Sequence, residues 1–102
     1  GVIVLPVELP GCRHIYHQYV VRIPGRDAVK ALFQAEGVGC GVFYPVPLHR
    51  QACFSAYTGG VSCPVAEKAC DEVLALPVYP ELADAQIDAV AALLKRHVNV
   101  PG

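Results

Sequence analysis

Histidines and cysteines are the side chains of this sequence best suited to binding a metal. His14 and His17 lie three residues apart in a segment that alternates like a β-strand, and residues three apart on a strand point to opposite faces. Cys63 and Cys70 are seven residues apart and could share one helix face. No further cysteine or histidine stands beside them at the spacing of a zinc finger. These spacings predict no metal site.

A covalent catalytic centre would need an activated cysteine or lysine. The five cysteines are odd in number, irregularly spaced and never in a Cys-x-x-Cys pair: Cys12, Cys40, Cys53, Cys63 and Cys70. This pattern predicts free thiols that fill core space in a reducing cytoplasm. A cysteine and a histidine could still meet in space, but no local signature supports a nucleophile pair. The lysines lie on the polar sides of predicted helices, where a hydrated ammonium is a poor Schiff-base nucleophile, so we predict structural roles for Lys30, Lys68 and Lys95.

The composition indicates one small domain with an unusually apolar surface. The 102 residues are 54% hydrophobic and 17% charged, against about 45–50% and about 25% in typical soluble domains. We expect residues 1–102 to form a single domain, part of whose surface faces protein. The net charge of −1 and the absence of a basic stripe argue against nucleic acid as a partner. No apolar run approaches the ~18 residues of a membrane span and no targeting signal opens the chain, so a cytoplasmic protein outside the membrane is expected.

Apolar periodicity predicts a strand and then a helix in the first third of the chain. Residues Val2–Val7 form an extended apolar segment that fits a short strand or a linker. Between His14 and Ile23, β-branched and aromatic residues alternate on both faces, as is typical of a strand. A helix follows, with an apolar face of Ala28, Val29, Leu32 and Phe33. Gly37 is expected to end it in the left-handed conformation.

The rest of the chain alternates short strands and helices. We predict a strand over Cys40–Tyr44 and a short helix over His49–Tyr57. A third helix should begin at Pro64 and end near Leu76, with Val65, Ala69, Val73 and Leu74 buried. A brief strand over Leu76–Tyr79 and a last helix from Asp84, with Ile87, Val90, Ala91, Leu94 and Val98 on one face, complete the chain.

Together these elements predict an α/β fold of the α+β type. Three or four strands would form a small, mainly antiparallel sheet with helices packed on it, and the strand His14–Ile23 would lie at its centre. That strand is too apolar on both faces for one of them to be fully hydrated, so a second surface should cover it.

Several segments resemble one enzyme family in the same order along the chain. Residues His14–Arg22 are similar to the H-x-Y-H-x-Y-x-x-R strand in the C-terminal part of the DegT/DnrJ/StrS sugar aminotransferases, and Arg26–Gly37 resembles the helix that follows there. Tyr44–His49 resembles that family's Y-P-x-P-L-H turn, and Pro64–Ala69 and Leu76–Leu82 continue the similarity. The resemblance covers nearly the whole chain.

The resemblance implies the C-terminal small domain of a fold-type-I aminotransferase that aminates nucleotide-linked keto sugars with pyridoxal phosphate. In such enzymes the large domain supplies the aldimine lysine, the acid beside the pyridine nitrogen and most of the phosphate site. None of these is expected here. The resemblance therefore implies that this chain alone binds no pyridoxal phosphate and is not catalytic.

Three residues lie in the turn that corresponds to the family's substrate-side turn; two of them match the family and one differs from it. Tyr44 and His49 correspond to residues that would contact substrate in a complete enzyme, while Phe43 stands where the family commonly has histidine near the sugar nucleotide. Phe43 could therefore indicate a different substrate or none. In the isolated chain, Tyr44 could equally be a packing aromatic and His49 a helix-start residue.

Two functions remain open from the sequence. The chain could be a piece of an aminotransferase or the product of a truncated gene, or it could be a stand-alone binding or oligomerisation module without enzymatic activity. In either case the shortage of charge predicts self-association. The uncharged stretch Gly37–Leu48, the start of the chain, or both should lie in that contact.

Overall fold

The computed structural model describes residues 2–99 of the chain. Two short antiparallel strands, β1 (Tyr19–Arg22) and β2 (Val73–Leu76), pair with Tyr19 opposite Leu76 and Arg22 opposite Val73. Single bridges flank this pair, from Val4 to Arg22 on one edge and from Gly41 to Ala75 on the other. Four chain segments thus lie side by side, of which only the middle two are regular strands.

The helices account for most of the regular structure. They are α1 (Arg26–Ala35), α2 (Ser55–Thr58), α3 (Pro64–Glu72) and α4 (Asp84–Asn99), with two 3-10 turns at Leu48–Arg50 and Ala52–Phe54. Gly37 follows α1 with a φ of 72°, and the Val38 amide donates to the Phe33 carbonyl at 2.8 Å. This confirms the predicted helix end at Gly37.

The core lies between the sheet and two of the helices. It is formed by Val21, Ile23, Val29, Phe33, Leu74, Leu93 and Leu94. Val21 and Leu74 are direct partners across the ladder, so α1 and α4 pack on the face that these two residues share. The predicted apolar faces of α1 and α4 are confirmed at Val29, Phe33 and Leu94, whereas Ile87 is exposed.

One arginine is buried with this core. Arg26, at the start of α1, is only 6% exposed, and its Nη1 donates to the carbonyls of Cys70 and Val73, each at 2.9 Å. Its Nε lies 2.7 Å from the carboxylate of Asp27. The guanidinium therefore joins α1 to the junction where α3 passes into β2.

The strand predicted over His14–Ile23 is shorter than expected. Only Tyr19–Arg22 pairs, because β2 offers four partners and the backbone of Tyr16 is left-handed, with a φ of 48°. The Tyr16 amide donates to Nδ1 of His14, so this segment bonds locally instead of to a neighbouring strand. The expectation that His14 and His17 lie on opposite faces of a strand therefore does not apply.

Within residues 2–99, the expected three or four strands are also reduced to two. Cys40–Tyr44 contributes a single bridge at Gly41, and the prolines that follow cannot extend a ladder. Helix α3 ends at Glu72, earlier than predicted, because Val73 and Leu74 pair with β1 instead. Val65, expected in the core, is 81% exposed. The strand predicted over Leu76–Tyr79 lies three residues earlier, since Pro77 ends it.

Two further expectations concern short helices and thiols. The helix predicted over His49–Tyr57 is divided into 3-10 turns and α2. Cys12 and Cys53 are exposed, and the other cysteines are only partly buried. Of the five, Cys40 packs against the core cluster, so the expected core-filling role is met there and not at the exposed Cys12 and Cys53. Within residues 2–99, no helix is both long enough and apolar enough to cross a membrane.

Candidate functional site

The segment that carries Phe43, Tyr44 and His49 is fixed at both ends to one structural unit. At its start, Gly41 exchanges two backbone hydrogen bonds with Ala75 of β2, at 3.1 and 2.7 Å. At its end, His49 contacts Glu67 of α3. Helix α3 passes directly into β2, so both ends are attached to the same continuous stretch of chain. The aromatic residues lie between these attachments.

Phe43 and Tyr44 form an edge-to-face aromatic pair, with ring centroids 5.7 Å apart. Tyr44 is 69% exposed and Phe43 is 45% exposed. Phe43 also lines a concavity of about 300 Å³, together with His17, Gln18 and Cys40. Tyr44 and His49 are not among the residues that line this concavity. The structure therefore places Phe43 with the segment that follows the left-handed Tyr16.

His49 faces the protein instead of solvent. Its side chain is 11% exposed, and its Nε2 lies 2.8 Å from Oε1 of Glu67. This arrangement places His49 in a polar cluster with α3. Tyr44, by contrast, is largely exposed to solvent.

Glu67 is the centre of this polar cluster and was not predicted from the sequence. Oε1 accepts a hydrogen bond from Nε2 of His49 and another from the backbone amide of Cys63, the latter at 3.1 Å. Oε2 lies 3.0 Å from Nη2 of Arg50. The hydrogen bond from His49, then that from Cys63, and the nearby Arg50 lower the pKa of the Glu67 carboxyl. A glutamate in the first turn of a helix that begins with proline is the signal that could have indicated this cap.

A second concavity, of about 500 Å³, lies between the β2 end and α4. Its lining is almost entirely apolar and includes Leu5, Tyr19, Leu76, Val78, Ile87 and Leu94. The partly exposed residues of this lining give the chain an apolar surface on the side of α4. Such a surface is suited to contact with protein.

Lysine side chains are the groups that could form a Schiff base with pyridoxal phosphate. None of Lys30, Lys68 and Lys95 lines either concavity. Lys68 is exposed and lies 3.9 Å from Glu72, so its amine is solvated. Among the residues that the structure describes, no three histidine, cysteine or acidic side chains lie close enough to hold a metal ion.

Comparison of the fold with solved proteins identifies the class to which it belongs. The chain superposes with a TM-score of 0.90 on Streptomyces venezuelae DesV in complex with a ketimine intermediate, at 29% identity, covering 98% of this chain and 27% of that one. It superposes with a TM-score of 0.79 on ntda from Bacillus subtilis with bound cofactor pmp, at 26% identity, covering 98% of this chain and 24% of that one. The fold is thus an α/β fold of the kind found in aminotransferases.

Sequence comparison identifies the family. The DegT/DnrJ/EryC1/StrS aminotransferase model matches residues 2–95, and the chain belongs to this family. It is 40% identical over 93% of its length to the UDP-N-acetyl-3-dehydro-alpha-D-glucosamine 3-aminotransferase of Acidithiobacillus ferrooxidans, of which it covers 26%. It is 36% identical over 88% of its length to the dTDP-3-amino-3,4,6-trideoxy-alpha-D-glucose transaminase of Micromonospora megalomicea, also covering 26%. The chain therefore spans about a quarter of the length of these relatives.

Proposed function

We propose that this chain is the C-terminal small domain of a pyridoxal-phosphate-dependent aminotransferase that acts on a nucleotide-linked keto sugar. The observation that supports this most directly is the match to aminotransferase sequences and structures along nearly the whole chain. The named relatives act on UDP- or dTDP-linked sugars. A nucleotide-linked sugar is therefore the proposed substrate class.

In this proposal the chain binds and orients substrate but does not perform the amino transfer. Phe43 and Tyr44 would contact the substrate, because they are exposed aromatic residues on a segment fixed at both ends. His49 would support that segment through Glu67 instead of contacting the sugar. The cofactor and its lysine would come from protein outside this chain, since the lysines present here line neither concavity. The chain alone would be inactive.

A chimera tests this proposal. The chain would replace the matching 26% of the Acidithiobacillus relative, and amination of that relative's keto sugar would be assayed. We expect amination by the chimera and none by the relative truncated before that region. The isolated chain should show no amination, and its mass should be unchanged after incubation with pyridoxal phosphate and borohydride. A well-folded chimera without activity, or a stoichiometric adduct on the isolated chain, would contradict the proposal.

The second candidate is a stand-alone binding or oligomerisation module. The observation that favours it is the number of apolar side chains that are more than half exposed near the start of the chain: Val2, Val4, Leu5, Val7 and Leu9. A self-associating module would bury these residues without any need for a large domain. Persistent association of the isolated chain together with an inactive chimera would favour this candidate.

A further inference from the structure

We infer that Glu67 is a positioning residue that holds the Phe43–Tyr44 pair in place for its ligand. The inference rests on the proposed function for the identity of that ligand. The positioning role itself is argued from the contacts that Glu67 makes. In this role Glu67 does not need to touch the substrate.

Glu67 is itself rigidly held. Its carboxylate accepts the backbone amide of Cys63, and its own backbone amide donates to the Cys63 carbonyl at 2.9 Å. The side chain and backbone of Glu67 therefore both bond to the residue that precedes α3. A carboxylate fixed in this way on the first turn of a helix has little freedom to follow a moving partner.

From this fixed point Glu67 bonds to two successive residues of the 3-10 turn Leu48–Arg50. His49 meets one carboxylate oxygen at 2.8 Å and Arg50 meets the other at 3.0 Å. Within the turn, the Arg50 amide donates to the Pro47 carbonyl at 2.9 Å. One carboxylate thus fixes both the position and the orientation of the turn.

The chain between this turn and Tyr44 is short and stiff. It contains Pro45 and Pro47, whose rings fix φ and restrict the residues before them. On the other side of the aromatic pair, Gly41 is bonded to Ala75 of β2. Removal of the Glu67 carboxylate would release one end of this segment while the other stays in place. Tyr44, which is 69% exposed, should then move most.

The first arm of the test uses the chain as it is, labelled with 3-fluorotyrosine, with the Tyr44 signal assigned by Tyr44→Phe. Glu67→Gln should shift or broaden the fluorine signal of Tyr44 and leave those of Tyr16 and Tyr19 unchanged. Glu72→Gln is the matched control, because Glu72 lies on the same helix but pairs with Arg22 of β1 at 2.8 Å. An unchanged Tyr44 signal in folded Glu67→Gln, or an equal shift in Glu72→Gln, would overturn the inference.

The second arm uses the active chimera. Glu67→Gln should raise KM for the keto sugar roughly tenfold or more, while the half-reaction with the amino donor stays within about twofold. His49→Asn should act in the same direction. If His49→Asn raised KM and Glu67→Gln did not, His49 would contact the substrate directly and the inference would be overturned. If Glu67→Gln does not fold, Arg50→Gln takes its place. This variant removes only the ion pair between Arg50 and Glu67 and should still shift the fluorine signal of Tyr44, and an unchanged signal would overturn the inference.

The two arms separate this inference from the proposed function. An inactive chimera contradicts the proposed function, whereas the fluorine spectra of the isolated chain still decide whether Glu67 positions Tyr44. Conversely, an active chimera that is insensitive to Glu67→Gln would leave the proposed function in place and overturn the positioning role.

Discussion

One edge of the Phe43 ring occupies the space that a β-carbon on Gly41 would need. A β-carbon built at position 41 would stand 2.8 Å from Cζ and 2.9 Å from Cε2 of that ring, closer than side-chain atoms can approach. Gly41 cannot retreat, because its amide and carbonyl both bond to Ala75. The absence of a side chain at position 41 therefore determines where Phe43 can lie.

Gly41→Ala should destabilise the fold or displace the ring of Phe43. Because Phe43 is 45% exposed and its ring can move aside, we expect a cost in the free energy of unfolding no larger than the lower end of the roughly 1–3 kcal/mol typical of overpacked cores, measured by urea denaturation. Gly39→Ala is the matched control, since a β-carbon there would meet nothing within 4 Å. In the double variant that combines Gly41→Ala with Phe43→Ala, most of the loss in unfolding free energy caused by Gly41→Ala should disappear. Equal costs for Gly41→Ala and Gly39→Ala would contradict this prediction.

The stability of the chain should depend on the ionisation of Glu67 at acid pH. Its pKa is lowered in the folded state, first by the hydrogen bond from His49, so the folded state holds the charged form better than the unfolded chain does. The resulting stabilisation is complete above the ordinary glutamate pKa of about 4.3 and is lost as pH falls through the lower folded value.

Urea denaturation between about pH 5 and pH 3 measures this effect. The difference in unfolding free energy between the natural chain and Glu67→Gln should be largest at the upper end of this range and should narrow as pH falls. A difference that stays constant with pH would mean that the charge of Glu67 contributes nothing to stability.

Arg26 should be essential to the fold, although it is a charged residue. Arg26→Leu would leave the carbonyls of Cys70 and Val73 without their donor, at a cost of roughly 2–4 kcal/mol. Arg26→Lys should restore only part of this, because one ammonium cannot reproduce the planar fork of the guanidinium. The control is Arg96→Ala, which breaks an exposed pair with Glu36 at 3.4 Å and should cost under about 1 kcal/mol. Thermal unfolding of all three variants compares them directly.

Self-association of the isolated chain is expected from its exposed apolar residues. Sedimentation equilibrium over about a hundredfold range of concentration should show mass rising with concentration. Val7→Glu and Leu48→Glu, at the start of the chain and in the Gly37–Leu48 stretch, should weaken association. Val65→Glu is the control, since Val65 is exposed on α3 outside both segments. A monomer at every concentration would contradict the prediction.

Sequence periodicity predicted helices better than strands in this chain. Val29 and Phe33 recur at helical spacing and are buried, so α1 was predictable from local sequence. The length of β1 was not, because it depends on β2, about fifty residues away, and on the left-handed backbone of Tyr16. Val73 and Leu74 continue the helical pattern of α3, yet pairing with β1 takes them into a strand. Contacts made at a distance overrode local preference in each case.

The candidate site shows the same limit. Phe43, Tyr44 and His49 could be selected from the sequence, but the different surroundings of His49 and Tyr44 could not. His49 meets Glu67 eighteen residues away, and Arg26 meets carbonyls 44 and 47 residues away. Such bonds depend on the tertiary fold, which no short sequence pattern determines.

The order of segments in the sheet has a consequence for the rate of folding. No two neighbours in it are close in sequence: Val4 meets Arg22, Arg22 meets Val73, and Ala75 meets Gly41. Each contact must close a long loop before it gains any stabilisation, and chains with many such contacts fold slowly. Helix α1, which needs no distant partner for its hydrogen bonds, can form early. The ladder between β1 and β2 cannot form until β2 has been synthesised, so a nascent chain that ends before residue 73 lacks the strand with which Val21 pairs.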